Sequence, residues 1–124
     1  MKSLKEIHKK LKPIPFKKED INFMGNYLKY LEDNKIKSRF DFKMKEEGLI
    51  KHYEECNDLG MFVIAIEEME CSWAIVKSKN NYSILLCDWH EGSWISQGEY
   101  DNFQETFRPL HAIVKPHIEF SKDE

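Results

Sequence analysis

Three short apolar segments follow one another almost without pause between residues 61 and 89, and they constrain the fold more than any other feature. Segments 61–67 (MFVIAIE), 72–78 (SWAIVKS) and 82–89 (YSILLCDW) are each too short for a core helix and rich in β-branched and aromatic residues. They are separated only by the acidic stretch Glu67, Glu68, Met69, Glu70 and by Lys79, Asn80, Asn81. Connections this short join antiparallel neighbours, so the spacing predicts a meander. The strand centres are apolar on both faces, as Phe62, Val63, Ile64 and Trp73, Ala74, Ile75, Val76 show. A sheet of this kind is either covered on both sides or paired with a partner, a second copy of the chain included. Residues 92–98 (GSWISQG) add one more short strand between glycines.

Helical patterns flank these strands. Ser3 with Glu6 three residues on fits a capping box, and Leu4, Ile7 and Leu11 follow at helical spacing, so a helix is expected over 3–11. Pro13 and Pro15 end it in an extended linker. Ile21, Met24, Leu28 and Leu31 line one stripe of a second helix over 18–34, where Gly25 costs about 1 kcal/mol against alanine and suggests close packing of another backbone. Residues 39–45 alternate, with Phe40, Phe42 and Met44 on one face of an edge strand. Residues 46–57 read either as a helix, which is favoured, or as the return strand of a hairpin turning at Gly48. Phe103, Phe107, Leu110 and Val114 place a closing helix from Asp101 or Asn102 to Val114, kinked or divided at Pro109 and stopped before Pro116.

The expected fold is therefore α+β: an antiparallel meander sheet of four to six strands packed by N-terminal and C-terminal helices. A chain of 124 residues with 41% hydrophobic residues suits one domain over 1–124 and can build a core without disulfides or metal. The longest apolar run, Met61 to Ile66, is far below the roughly 20 residues that span a bilayer, and the N-terminus carries no apolar signal segment, which predicts a cytoplasmic protein with no membrane role. Three cysteines, Cys56, Cys71 and Cys87, make an odd number without a C-x-x-C pair and are expected as reduced, buried thiols. The net charge of −3 is unevenly distributed: residues 1–18 hold seven lysines against Glu6, while 19–124 hold twelve basic and twenty-one acidic residues. A basic N-terminal helix and proline linker (1–18) thus precede an acidic globular body (19–124).

No catalytic motif stands out, so candidate chemistry is weighed residue by residue. His52 and Cys56, with Cys87 and His90, would supply the four nitrogen and sulfur ligands that tetrahedral zinc prefers. His52 and Cys56 meet only if 46–57 is helical, since on a strand they stand about 13 Å apart. With no C-x-x-C knuckle, no metal and no cofactor are expected. A thiol site, with Cys87 or Cys71 as nucleophile, His90 as base and Asp88 or Glu91 as orienter, is disfavoured because Leu85 and Leu86 imply burial of Cys87 and His90 leaves that strand on the face opposite Cys87. The N-terminal lysines offer phosphates a counter-charge, but only two arginines and an acidic body make nucleic acid a secondary reading. The remaining feature combines acid and aromatic groups: Glu67, Glu68 and Glu70 in one turn, and Asp88, Trp89, Glu91 and Trp94 around another. In an up-down-up meander both turns fall at the same end of the sheet, gathering five carboxylates beside two tryptophans. Indoles are enriched at binding hot spots, and charges of one sign steer an oppositely charged protein, so a basic protein partner is expected to dock there.

With its strands over 62–89, acidic-aromatic turn and closing helix, the chain resembles the small bacterial immunity proteins of polymorphic and contact-dependent toxin systems. The resemblance implies a compact, cytosolic, non-enzymatic inhibitor that blocks a toxin such as a nuclease. Glu67, Glu68, Glu70, Asp88 and Glu91 would then stand in for phosphates before the toxin's cations, with Trp89 and Trp94 as anchors. The alternatives are a nucleic-acid-binding module using the lysine-rich N-terminus and a small thiol or zinc enzyme.

Overall fold

The structure, a computed structural model, describes residues 3–40 and 43–122. Five strands, β1 (Ser38–Phe40), β2 (Met61–Ile66), β3 (Cys71–Lys77), β4 (Tyr82–Asp88) and β5 (Trp94–Tyr100), form one antiparallel sheet in the order β1-β2-β3-β4-β5. With helices α1 (Leu4–Leu11), α2 (Lys18–Asp33), short α3 (Lys43–Glu46) and α4 (Cys56–Leu59), and α5 (Arg108–Lys122), the fold is α+β with a meander sheet and helices at both ends of the chain. The register sets Ile64, Trp73 and Leu86 side by side across the centre. Between β4 and β5 the register slips after Ile84, leaving Gln97 between the paired Ser96 and Gly98 as a bulge.

Every residue of β2 and β3 is buried, so the sheet is covered on both faces. One face, carrying Phe62, Trp73, Ile75, Tyr82 and Ile84, meets an aromatic layer. Phe16 stacks on Phe62 with ring centroids 4.5 Å apart, Phe103 meets Tyr82 at 5.4 Å, and Phe23 and Tyr27 of α2 join Phe107 at 5.2 and 4.5 Å. These rings lock α2 to the segment that opens α5, each well-oriented pair adding about 0.5–1.5 kcal/mol beyond simple burial. Within the same layer Asp20, buried, accepts a 2.6 Å hydrogen bond from the Tyr82 hydroxyl. The opposite face, with Ser83 and Leu85, carries α1, whose Leu4 and Ile7 are buried. Burial of each is worth about 1.5–3 kcal/mol.

Two local devices hold the N-terminal segment. Ser3 accepts the Glu6 N–H as an N-cap, and the carboxylate of Glu47, far along the chain, accepts the Leu4 and Lys5 N–H groups at 3.2 and 3.1 Å. A negative group there also faces the positive end of the helix dipole. The proline linker is not free: the Ile14 N–H donates to the Lys77 carbonyl and the Phe16 N–H to the Asn57 carbonyl, at 2.9 and 2.8 Å. It runs so close to the α4–β2 corner that a Cβ on Gly60 would lie 2.1 Å from the Ile14 carbonyl oxygen.

The structure departs from the sequence pattern at four places. The extended segment expected over 39–45 is strand only over Ser38–Phe40, and Met44 is buried in the helical turn α3; Asp41 and Phe42 lie outside the described residues. Residues 46–57 form neither one helix nor a hairpin strand: Gly48 at φ +76° stops α3, and helix resumes as a 3-10 turn over Tyr53–Glu55 running into α4. The closing helix does not stop before Pro116. A 3-10 turn over Gln104–Phe107 leads into α5, where Pro109 occupies the first turn and needs no amide partner. Pro116 lies on the exposed side, so the carbonyl it leaves unpaired reaches water, while Leu110, Val114 and Ile118 continue the buried stripe. Gly25 packs against no other backbone, for a Cβ there would meet nothing within 4 Å.

Candidate docking rim

The strand directions bring the β2–β3 and β4–β5 turns to one end of the sheet, with Ile66, Cys71 and Asp88 adjacent across β2, β3 and β4. The two turns are joined directly. The Trp89 N–H donates to the Glu70 carbonyl at 2.9 Å, and the imidazole Nε2 of His90 pairs with the Glu70 carboxylate. Glu70 itself sits at φ +48°, the left-handed corner that ends the 3-10 turn Glu67–Met69. In the second turn the Asp88 carboxylate accepts the His90 N–H at 2.8 Å, closing an Asx-type turn, and the Gly92 N–H returns to the Asp88 carbonyl.

Chain-internal cations stand among the carboxylates. Glu67 faces Arg39 Nε at 3.4 Å and Lys37 Nζ at 3.9 Å, and the Glu68 carboxylate accepts the Lys37 backbone N–H at 2.9 and 3.0 Å. The His90 imidazole is held above its ordinary pKa by its hydrogen bond to Glu70, by the charge of Glu70 and by that of Asp88. The rim is therefore mixed in sign, with five carboxylates set among Lys37, Arg39 and His90. Glu91 is exposed at its tip.

The two indoles play different parts. Trp89 is 40% exposed, and its ring is fixed by an Nε1–H donation to the Ser72 hydroxyl at 2.9 Å. It borders a depression of about 220 Å³ with Arg39, Lys43, Cys87 and Gly92. Trp94, half-buried opposite Cys87, instead lines a groove of about 380 Å³ against Ile7 and Leu11 of α1. Trp73, the third tryptophan, is wholly buried.

Arg39, Lys37 and Ser72 were beyond sequence reasoning, since their place on the rim follows from strand register. Basic residues beside a strand start were the available signal. Of the other constellations, Cys56, Cys71 and Cys87 are all buried thiols. Burial pushes Cys56 up to about 12 and Cys71 up to about 11, opposite to the direction a nucleophilic thiolate needs. Among the described residues no group of three or more His, Cys, Asp or Glu side chains is arranged to hold a metal ion, and no helix is long and apolar enough to cross a membrane. No family model, characterised protein or solved structure matches the chain.

Proposed function

We propose that this chain is a non-catalytic cytoplasmic binding protein that docks a basic protein through the 67–70 and 88–94 turns, in the manner of an immunity protein seated on a toxin's cationic active site. The observation that carries the reading is Trp89: a large, partly open indole whose orientation is set by Ser72 and whose main chain is tied to Glu70. A ring already held in place loses little freedom when a partner covers it, which is the property of a hot-spot anchor. The ion pairs around it favour exchange. Solvent-exposed pairs such as Glu67 with Arg39 contribute about 0–1 kcal/mol, so a partner's arginine can take over Glu67 or Glu70 at small cost. Exposed Glu91 adds long-range attraction at the tip. Three buried thiols suit a reducing compartment.

The test is affinity capture from the source cell with the wild-type chain, Trp89→Ala and Glu91→Lys. The expected result is one retained basic protein whose affinity falls about 30-fold or more with Trp89→Ala, the loss of an anchor worth about 2 kcal/mol. Its association rate should fall, and become less salt-sensitive, with Glu91→Lys. A retained protein that is acidic, or indifferent to both substitutions, overturns the reading. Retention of nucleic acid abolished by Lys5→Glu with Lys9→Glu favours the lysine-rich helix instead.

A further inference from the structure

A second surface, richer in lysine than the rim, lies beside it. α2 and the loop leading into β1 enclose an open groove of about 680 Å³, within the range of sites that take a peptide segment or a large ligand. Its floor is the bare backbone of Gly25 with Leu28 and Ile36, and its walls carry three lysines, Lys29, Lys35 and Lys37, against one carboxylate, Glu32, so the lining is net positive. Lys29 and Lys35 are exposed and form no ion pair among the described residues.

Two of these residues are poor choices for stability alone. Gly25 is exposed in the middle of α2, where alanine is the better helix former and a Cβ would meet nothing within 4 Å. Lys35 occupies the left-handed position of a Schellman motif at φ +62°, with the Lys35 N–H bonded to the Glu32 carbonyl and the Ile36 N–H to the Leu31 carbonyl. Glycine is the usual residue there. The sequence has glycine where a side chain would help and a lysine where glycine would help, and both positions face the same groove.

The far wall supplies main-chain groups. β1 is an edge strand, and the Lys37 carbonyl points toward β2, where it accepts the Glu67 N–H. By strand alternation the N–H and C=O of Ser38, which lines the groove, point away from β2, on the side where a strand would add.

The geometry points to a binding site for an acidic peptide segment, laid in extended form along the β1 edge, main chain on Ser38 and carboxylates on Lys29 and Lys35. Gly25 is the position where that peptide approaches the helix backbone. Strand addition to an exposed edge, with flanking side chains setting specificity, is an established mode of peptide recognition.

The test is fluorescence anisotropy with a labelled eight-residue peptide of alternating glutamate and valine, titrated with the full chain. Saturable binding is expected, with at least tenfold weaker binding of the glutamine counterpart. Lys29→Glu with Lys35→Glu should weaken binding at least tenfold, while Lys79→Glu, in the β3–β4 turn, should leave it unchanged. Gly25→Leu should also weaken it at least tenfold while raising the thermal midpoint, which separates groove filling from misfolding. No saturable binding, equal binding of the glutamine peptide, equal loss with Lys79→Glu, or indifference to Gly25→Leu overturns the proposal. Preferential binding of a single-stranded oligonucleotide overturns it too.

Discussion

Gly60→Ala is expected to be among the most damaging single-methyl additions in this chain. Gly60 closes α4 at φ +74°, a conformation costing an L-residue about 1–2 kcal/mol. The added Cβ would lie 2.1 Å from the Ile14 carbonyl oxygen and 2.8 Å from its carbon, where ordinary contact begins at 3.4 Å. Since both obstacles are backbone, the linker itself must move. Its displacement loosens the Ile14 N–H to Lys77 carbonyl bond and the adjoining Lys77 N–H to Gly60 carbonyl bond, both 2.9 Å and each worth about 1 kcal/mol net. The loss comes to about 3–4 kcal/mol, a large share of the roughly 5–15 kcal/mol that holds a domain folded. Gly48→Ala is the control, because Gly48 has nearly the same backbone conformation, φ +76°, but nothing within 4 Å of a Cβ. It should cost only about 1 kcal/mol. Urea unfolding followed by tryptophan fluorescence reads both, with a midpoint shift of about 2 M expected for Gly60→Ala at an ordinary denaturant slope. If the two variants fall within about 0.5 kcal/mol of each other, linker packing does not set the requirement at Gly60 and the reasoning fails.

Glu47→Ala should remove the long-range cap of α1, costing about 1 kcal/mol and speeding hydrogen exchange of the Leu4 and Lys5 amides before that of the sheet. Tyr82→Phe takes the hydroxyl donor from buried Asp20 and should cost about 1–3 kcal/mol in chemical denaturation. Because Glu70 raises the His90 pKa above its ordinary 6.5 in the folded chain, the pair's stabilisation is complete below pH 6.5 and lost as pH rises through the higher folded value; an NMR titration of His90 should show the raised midpoint, and Glu70→Gln should return it toward 6.5. With their thiols pushed up to about 12 and 11, Cys56 and Cys71 should react with an aromatic disulfide reagent slowly when native and rapidly when unfolded.

The parts of the fold that could be read from sequence were those governed by local pattern. Segments 61–67, 72–78 and 82–89 combine strand composition with turns too short for any crossover, and the meander follows, with strand ends shifted by a residue. The capped stripe of Leu4, Ile7 and Leu11 and the longer stripe of α2 were equally legible. Local preference yields where tertiary contacts outrank it. Alternation over 39–45 suggested a strand throughout, yet burial of Met44 in a helical turn prevails once the chain leaves Phe40. Pro116 looked like a stop because proline disrupts an isolated helix, whereas burial of Ile118 beyond it repays one lost backbone bond.

The rim divides in the same way. That the two acidic turns share an end follows from counting strands, and Trp89 stands there partly exposed. That Lys37 and Arg39 stand among the carboxylates depends on β1 pairing in one register with β2, which no periodicity specifies over three residues. Likewise, Trp94 follows Trp89 by five residues but turns toward α1, because its partner across the sheet is Cys87.

The proposal that the rim receives a basic protein is tested most directly by amide and indole N–H chemical shifts on titration with an arginine-rich ten-residue peptide. The three indole signals report separately on a buried ring, a ring facing α1 and a ring on the rim. The account predicts saturable changes at the Trp89 indole and at the amides of Glu70, His90 and Glu91, with the Trp73 indole unmoved. Changes centred on another surface, or none at the Trp89 indole while the peptide binds, would contradict it.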